Sequence, residues 1–145
     1  MSDPGVELDL GDPLLAGVFF VTGDDLATLD VAARDAGLLA RRIDLGDCAG
    51  KAALLARIAE VLAMPDGRAR NWDALGDSLR DLSWLPAPGY AVLFDGAQHL
   101  RDGDEASFDT LLTLLEEASA EWATQEVPFW SFLALPEDEF EGAAP

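Results

Sequence analysis

Four runs of strand-forming residues alternate with segments of helical periodicity along this chain. The runs are Gly17 to Val21, Leu38 to Leu45, Tyr90 to Asp95 and Phe129 to Leu135. The first is a continuous apolar run, which is typical of a strand covered on both faces. An order of strand, helix, strand predicts a parallel sheet covered by helices, with right-handed crossovers. We therefore expect an α/β fold with a small parallel sheet of three or four strands and helices packed on it.

Four other segments carry the apolar spacing of amphipathic helices. The predicted helices are Leu26 to Ala36, Lys51 to Leu62, Asn71 to Leu82 and Phe108 to about Trp122. The residues of the first helix that are expected to face inward are Leu29, Ala32, Ala33 and Ala36. Gly23 to Asp25 is predicted as a turn and cap, and Gly96 to Ala106 as a loop.

The predicted helix from Asn71 to Leu82 has one apolar face and one acidic face. Its apolar side chains are Trp72, Leu75, Leu79 and Leu82, and its acidic ones are Asp73, Asp77 and Asp81. Asn71 suits the N-cap, because its side-chain oxygen can accept a hydrogen bond from an unpaired amide of the first turn. Acids four apart destabilise a helix by roughly 0.2–0.5 kcal/mol per pair. From the spacing alone, the acidic face is interpreted first as a solvated face in a very acidic protein, and its cost to the helix is a hint of the alternative, a binding surface.

The chain is strongly acidic, with a formal net charge of -19 over 145 residues. This length suits a single domain. Nucleic acids and anionic membranes require a basic binding surface, so the charge argues against both as direct partners. It favours a basic protein partner, which an acidic surface attracts over a distance.

The sequence carries no predicted targeting or membrane segment. Met1 to Pro13 is acidic and lacks the basic region of a signal peptide. No apolar run is long enough to span a bilayer. Cys48 is the only cysteine, which rules out an internal disulfide and fits a reducing, cytoplasmic location.

The folded domain is predicted over residues 17–135, with a loose segment on either side. Residues 1–16 carry prolines and glycines among acids and are expected to form a flexible acidic segment. Within it, Val6 to Leu10 alternates and could form a short edge strand. Residues 136–145 are predicted as an acidic, disordered tail.

Two motifs connect the middle of the chain to a known family. Leu62-Ala63-Met64-Pro65 is followed by Asn71-Trp72-Asp73-Ala74-Leu75 and then by Asp77-Ser78-Leu79. With these motifs the chain resembles the barstar family of intracellular ribonuclease inhibitors from about Arg42 to Leu135. In that family a Leu-x-x-Pro stop leads to a binding loop and to a helix that opens with Asn-x-Asp-Ala-Leu. The segment before Arg42 looks like an added N-terminal strand and helix.

The resemblance implies an inhibitor or immunity protein that plugs the active site of a basic ribonuclease. Helix carboxylates of the family take the place of RNA phosphates. Asp73 and Asp77 match the acids of the binding helix, and Asp77 matches the one that lies deepest in the nuclease. Glu117 matches the acid of the long helix. The implied partner is a basic protein, either an extracellular-type ribonuclease or a nuclease toxin.

The sequence departs from the family pattern at two places. The binding loop carries Gly67, Arg68 and Arg70 where aromatic residues are common, and Gly76 replaces a bulky aromatic on the helix. The arginines would repel a basic partner unless they pair with Asp73 or Asp77, so the target is expected to have changed or been lost. The predicted partner-binding residues are Arg68, Arg70, Asn71, Asp73, Gly76, Asp77 and Glu117.

Two alternatives to nuclease inhibition remain open. The first is an acidic regulatory module that binds a protein other than a nuclease. The second is a receiver-like or phosphatase-like pocket, in which Asp24, Asp25 and Asp95 meet at the carboxyl edge of the sheet and hold Mg²⁺. Neither His99, the only histidine, nor the motifs indicate catalysis. The sequence therefore predicts a protein that is not an enzyme and that has no cofactor or metal.

Overall fold

A parallel sheet with helices on both faces forms the core of the chain, as the sequence predicts. The computed structural model describes residues 9–137. Within them, four strands form one sheet in the order β1-β4-β3-β2, and all neighbouring strands are parallel. The strands are β1 (Val18–Val21), β2 (Leu39–Asp44), β3 (Tyr90–Asp95) and β4 (Phe129–Ala134).

Five helices lie between these strands in the part of the chain that the structure describes. They are α1 (Gly23–Asp35), α2 (Lys51–Val61), α3 (Trp72–Leu79), α4 (Ala97–Gly103) and α5 (Glu105–Ala123). The α/β prediction is therefore confirmed, including the strand and helix added before the second strand.

Each strand divides its side chains between two hydrophobic cores, because successive residues of a strand point to opposite faces. On one face, the sheet packs against α2, α3, α4 and α5 through the strand residues Ile43, Val92, Phe94, Phe129 and Leu133. On the other face, α1 and Leu10 cover Ala40, Ala91, Leu93, Trp130 and Phe132. Because α3 and α5 bury their apolar stripes in the same core, their polar faces lie on one side of the molecule.

Within residues 9–137, strand β1 pairs with β4 alone and forms one edge of the sheet. The prediction that it is covered on both faces holds in part: Val18 packs against one core and Phe19 and Val21 against the other, whereas Phe20 remains 43% exposed. On the other face of the sheet, its neighbour Phe19 stacks on Trp130 and Phe132, at centroid distances of 5.6 and 5.9 Å. An apolar run alone does not distinguish an edge strand from a central one.

The segment before β1 crosses the face of the sheet that α1 covers. Leu10 is buried there, and the indole Nε1 of Trp130 donates a hydrogen bond of 2.8 Å to its carbonyl. Asp9 begins a turn, with its carbonyl accepting from the amide of Asp12 at 3.0 Å. Of the possible strand from Val6 to Leu10, residues 6–8 lie outside the described residues, and the other two are not in a strand.

Helix boundaries differ from the prediction at the start of α1 and after β3. Thr22, not Gly23 to Asp25, is the N-cap of α1, and it forms a capping box with Asp25. Ala36 is exposed rather than inward, because it lies beyond the last turn. The predicted loop after β3 contains α4, which begins after Gly96 at φ 66° and buries Ala97 and Leu100.

Tyr90, the only tyrosine in the sequence, lies at the start of β3 and gives a direct test of this packing. Its hydroxyl donates a hydrogen bond of 2.6 Å to the carbonyl of Leu85, and burial raises the pKa of the phenol. In the unfolded chain the phenol of Tyr90 ionises near pH 10, whereas in the folded protein it keeps its proton to a higher pH. The contribution of Tyr90 to the free energy of unfolding is therefore fully present below pH 10, and it is lost as the pH rises through the folded pKa.

We expect Tyr90→Phe to cost about 1 kcal/mol at neutral pH, because the hydrogen bond is lost. The difference from the wild type should narrow above pH 10, where the phenol of the unfolded wild type ionises. Urea unfolding at a series of pH values measures this difference. The ultraviolet absorbance of tyrosinate follows Tyr90 alone in the folded protein. If the difference in stability between the wild type and Tyr90→Phe stayed constant into strong alkali, it would contradict the raised pKa of Tyr90.

Candidate protein-binding site

Helix α3 presents its acidic face because its apolar side is anchored in the core. Leu75 and Leu79 are fully buried, and the Asn71 side chain accepts a hydrogen bond of 2.7 Å from the amide of Ala74. The helix ends at Leu79, so the prediction that it continues to Leu82 is wrong. Leu82 adopts a φ of 47° and is buried, and this bend takes Asp81 off the helix.

Asn71 supports the local structure of the site, whatever the partner is. We expect Asn71→Ala to destabilise the protein by about 1 kcal/mol, because one amide of the first turn loses its acceptor. Asn71→Ser should keep most of that stability, since a serine oxygen can also cap. Chemical denaturation of the three proteins measures the difference, and equal stability of Asn71→Ala and the wild type would rule out the cap.

Helix α3 is held against α5 by close packing and by one buried hydrogen bond. Gly76 is buried, and a Cβ at this position would lie 3.2 Å from Cδ2 of Leu114. The indole Nε1 of Trp122 donates a bond of 2.8 Å to the carbonyl of Leu79. These contacts fix the two helices relative to each other, so side chains on their outer faces keep a defined separation.

A depression of about 350 Å³ lies between the outer faces of α3 and α5. Its lining consists of Trp72, Asp73, Gly76, Asp77, Arg80, Leu114 and Glu117. The structure thus brings together all three carboxylates that the sequence places in the binding site. Asp77 and Glu117 are accessible, with side chains 76% and 54% exposed.

Arg80, which the sequence analysis does not include in the site, lies between two of these carboxylates. Its Nη2 is 2.7 Å from Oδ1 of Asp77, and its Nη1 is 3.6 Å from Oε1 of Glu117. The first contact joins residues three apart at the end of one helix and could be expected from spacing. The second joins residues on different elements, and no local pattern indicates it.

The loop before α3 carries Arg68, whose guanidinium pairs with an acid outside the depression. Nη1 of Arg68 lies 3.2 Å from Oδ2 of Asp81, and the guanidinium lies 5.4 Å from the ring centroid of Trp84. Arg68 therefore pairs with neither Asp73 nor Asp77. Its carbonyl accepts a bond of 2.6 Å from the hydroxyl of Ser78, which ties the loop to α3. Arg70 is exposed, next to the N-cap of α3.

The carboxyl edge of the sheet does not form the acidic pocket of the enzyme alternative. Arg42 holds both oxygens of Asp95, with Nη2 at 2.8 and 2.9 Å, and Asp25 is used in the capping box of α1. Among residues 9–137, no group of three or more histidines, cysteines or acids could hold a metal ion. This arrangement disfavours a magnesium site built from Asp24, Asp25 and Asp95.

Cys48 and His99 are the other candidate residues for catalysis, and neither lies in a site suited to it. Cys48 is buried, and this burial raises the pKa of its thiol, which makes it a poor nucleophile. His99 is exposed on α4. None of the helices between residues 9 and 137 is long and apolar enough to cross a membrane.

A family model described as Barstar (barnase inhibitor) matches residues 38–134, which is more than half of the chain. The chain belongs to the barstar family. The match begins immediately before β2 and ends with β4, so the barstar part contains α3, α5 and the depression between them. Strand β1 and helix α1 precede it. The family description names an inhibitor and no catalytic activity.

Two other comparisons add little to the barstar assignment. A comparison with curated protein sequences found no match. One chain in the structure of Drosophila ORC bound to DNA has a TM-score of 0.50 and 20% sequence identity with this chain. The likeness covers 86% of this barstar-family chain and only 33% of the ORC chain. At this identity the likeness concerns the fold alone.

Proposed function

We propose that this barstar-family protein inhibits a basic ribonuclease by covering its active site with the acidic surface between α3 and α5. The observation that carries the proposal is the meeting of Asp73, Asp77 and Glu117 at one exposed depression. Two separate segments of the chain supply these carboxylates. In the complex they would contact the cationic side chains that hold RNA phosphates in a nuclease.

The scaffold suits this role because the carboxylates need little ordering upon binding. Helices α3 and α5 are joined through Gly76, Leu114 and Trp122, as described above, so their backbones are already in place. A preorganised surface avoids part of the entropic cost of association. The net charge of -19 would also attract a basic partner and increase the rate of encounter.

Inhibition can be tested with a panel of purified basic microbial ribonucleases that includes the barnase type, because Arg68, Arg70 and Gly76 predict a changed target. We expect a fixed amount of at least one enzyme of the panel to lose activity as the protein is added, and the inhibition to weaken as salt is raised. Isothermal titration calorimetry at low salt gives the affinity independently of activity. Full ribonuclease activity, together with the absence of a calorimetric signal at low salt, would refute inhibition of this class of enzyme and favour the regulatory module.

A further inference from the structure

Among residues 9–137, Arg80 is the one cation that lines the depression between α3 and α5. It contacts a carboxylate on each helix, Asp77 at 2.7 Å and Glu117 at 3.6 Å, and its side chain is 35% exposed. A guanidinium is also the group with which a ribonuclease arginine would approach these carboxylates. Arg80 thus places on these carboxylates the same guanidinium group that an arginine of the partner would bring to them.

Gly76 leaves the space in which this guanidinium lies. A Cβ at position 76 would be in ordinary contact with Arg80, 3.6 Å from Nη1 and 4.0 Å from Nη2, so a side chain that extends beyond Cβ toward Arg80 would compete with it for the same volume. From the sequence, Gly76 is a predicted partner-binding residue at which a bulky aromatic of the family is absent. In the structure, Gly76 and Arg80 together replace a protruding side chain with a depression that contains an internal cation.

An internal cation changes the energy of binding in a predictable direction. The side chains of Asp77 and Glu117 are exposed, but a partner cation can contact Oδ1 of Asp77 and Oε1 of Glu117 fully only if Arg80 gives up its contacts with these two oxygens. Because exposed ion pairs are weak, the displacement of Arg80 is expected to reduce affinity by a few-fold to about tenfold. Arg80 also reduces the negative potential at the depression, which slows the approach of a basic partner. Both effects weaken binding, and the loss of affinity is greatest for partners that have few cations.

We propose that Arg80 is a specificity-determining residue that competes with the partner's cation for Asp77 and Glu117. This inference rests on the proposed function, since it concerns the same surface. In this role Arg80 restricts tight binding to partners whose cations can displace it. Weakly basic proteins do not bind, although the chain carries a large negative charge.

The first test compares Arg80→Gln with Arg34→Gln. Arg34 is paired with Asp30 on α1, on the opposite face of the sheet, so the control changes the net charge equally without touching the depression. For a barnase-type ribonuclease we expect Arg80→Gln to bind about 2- to 10-fold more tightly than the wild type. Arg34→Gln should change affinity less than twofold. Arg80→Lys should lie between the wild type and Arg80→Gln, because an ammonium cannot bridge two carboxylates as a guanidinium does.

The second test uses a capped tetra-arginine peptide, so that the inference does not depend on a nuclease. Calorimetry should show tighter peptide binding by Arg80→Gln than by the wild type or Arg34→Gln. Equal or absent binding by all three proteins would overturn the role of Arg80. If the nuclease binds none of them while the peptide ranks them as expected, the proposed function fails and the inference stands. Weaker nuclease binding by Arg80→Gln, with denaturation showing a folded protein, would instead make Arg80 a residue that positions Asp77.

Discussion

Asp77→Ala should remove most of the ribonuclease inhibition, with a loss of affinity of about 30- to 4000-fold. Asp77 lies on a rigid helix, and its side chain is 76% exposed, so it can contact a partner without a conformational change. Its loss would leave a cation of the partner buried in the interface without its counter-ion, which costs more than the contact itself. The variant would also release Arg80 from its closest carboxylate and add repulsion toward a basic partner.

Inhibition constants of the wild type and Asp77→Ala measure this effect, and Asp35→Ala serves as the matched control. Asp35 is the last residue of α1, is exposed, and lies on the opposite face of the sheet. Its removal changes the net charge by the same amount as the removal of Asp77. We expect Asp35→Ala to bind within about twofold of the wild type, since distant exposed charges are largely screened. If Asp77→Ala and Asp35→Ala lost affinity equally, overall charge rather than the depression would determine binding.

The largest loss of stability is expected for Trp130→Ala, at about 3–5 kcal/mol. Trp130 is fully buried at the centre of the sheet and stacks on Phe19 and Phe132 at centroid distances of 5.6 and 5.7 Å. Its Nε1 also donates to the carbonyl of Leu10. The substitution would open a large cavity in the second core and release the segment before β1. Urea unfolding followed by circular dichroism gives the free energy of unfolding.

Trp130→Phe separates the stacking from the hydrogen bond. A phenyl ring keeps part of the contact with Phe19 and Phe132 but cannot donate to Leu10. We expect this variant to lose clearly less stability than Trp130→Ala, with a residual loss of about 1–3 kcal/mol from the smaller ring and the unpaired carbonyl. A loss below 1 kcal/mol for Trp130→Ala would mean that the second core contributes little to folding.

Strand prediction succeeded for all four strands, at the edges of the sheet as well as at its centre. Strands β3 and β4 fall within one residue of the predicted runs, because apolar and aromatic residues suit the middle of a sheet on both faces. The same kind of run at β1 forms an exposed edge. Whether a strand has a neighbour on both sides depends on the order of strands in the sheet, and local composition does not specify that order.

Helix prediction failed at the ends of helices rather than at their centres. Helix α4 is short, and the glycine and acids around it predicted a loop, although Ala97 and Leu100 already have helical spacing. Helix α3 ends at Leu79, and the chain then turns at Leu82, which is buried and adopts a φ of 47°. At α4, the burial of Ala97 and Leu100 in the core outweighs the local preference for a loop.

The sequence by itself determined the class of fold, the barstar family and the acidic face of α3. These features follow from hydrophobic periodicity and from motifs a few residues long. Only the tertiary structure decided how the charges pair: Arg80 with both Asp77 and Glu117, and Arg68 with Asp81. The physical reason is that helical spacing relates residues within one turn, whereas ion pairs between elements depend on how closely and at what angle α3, α5 and the loop pack.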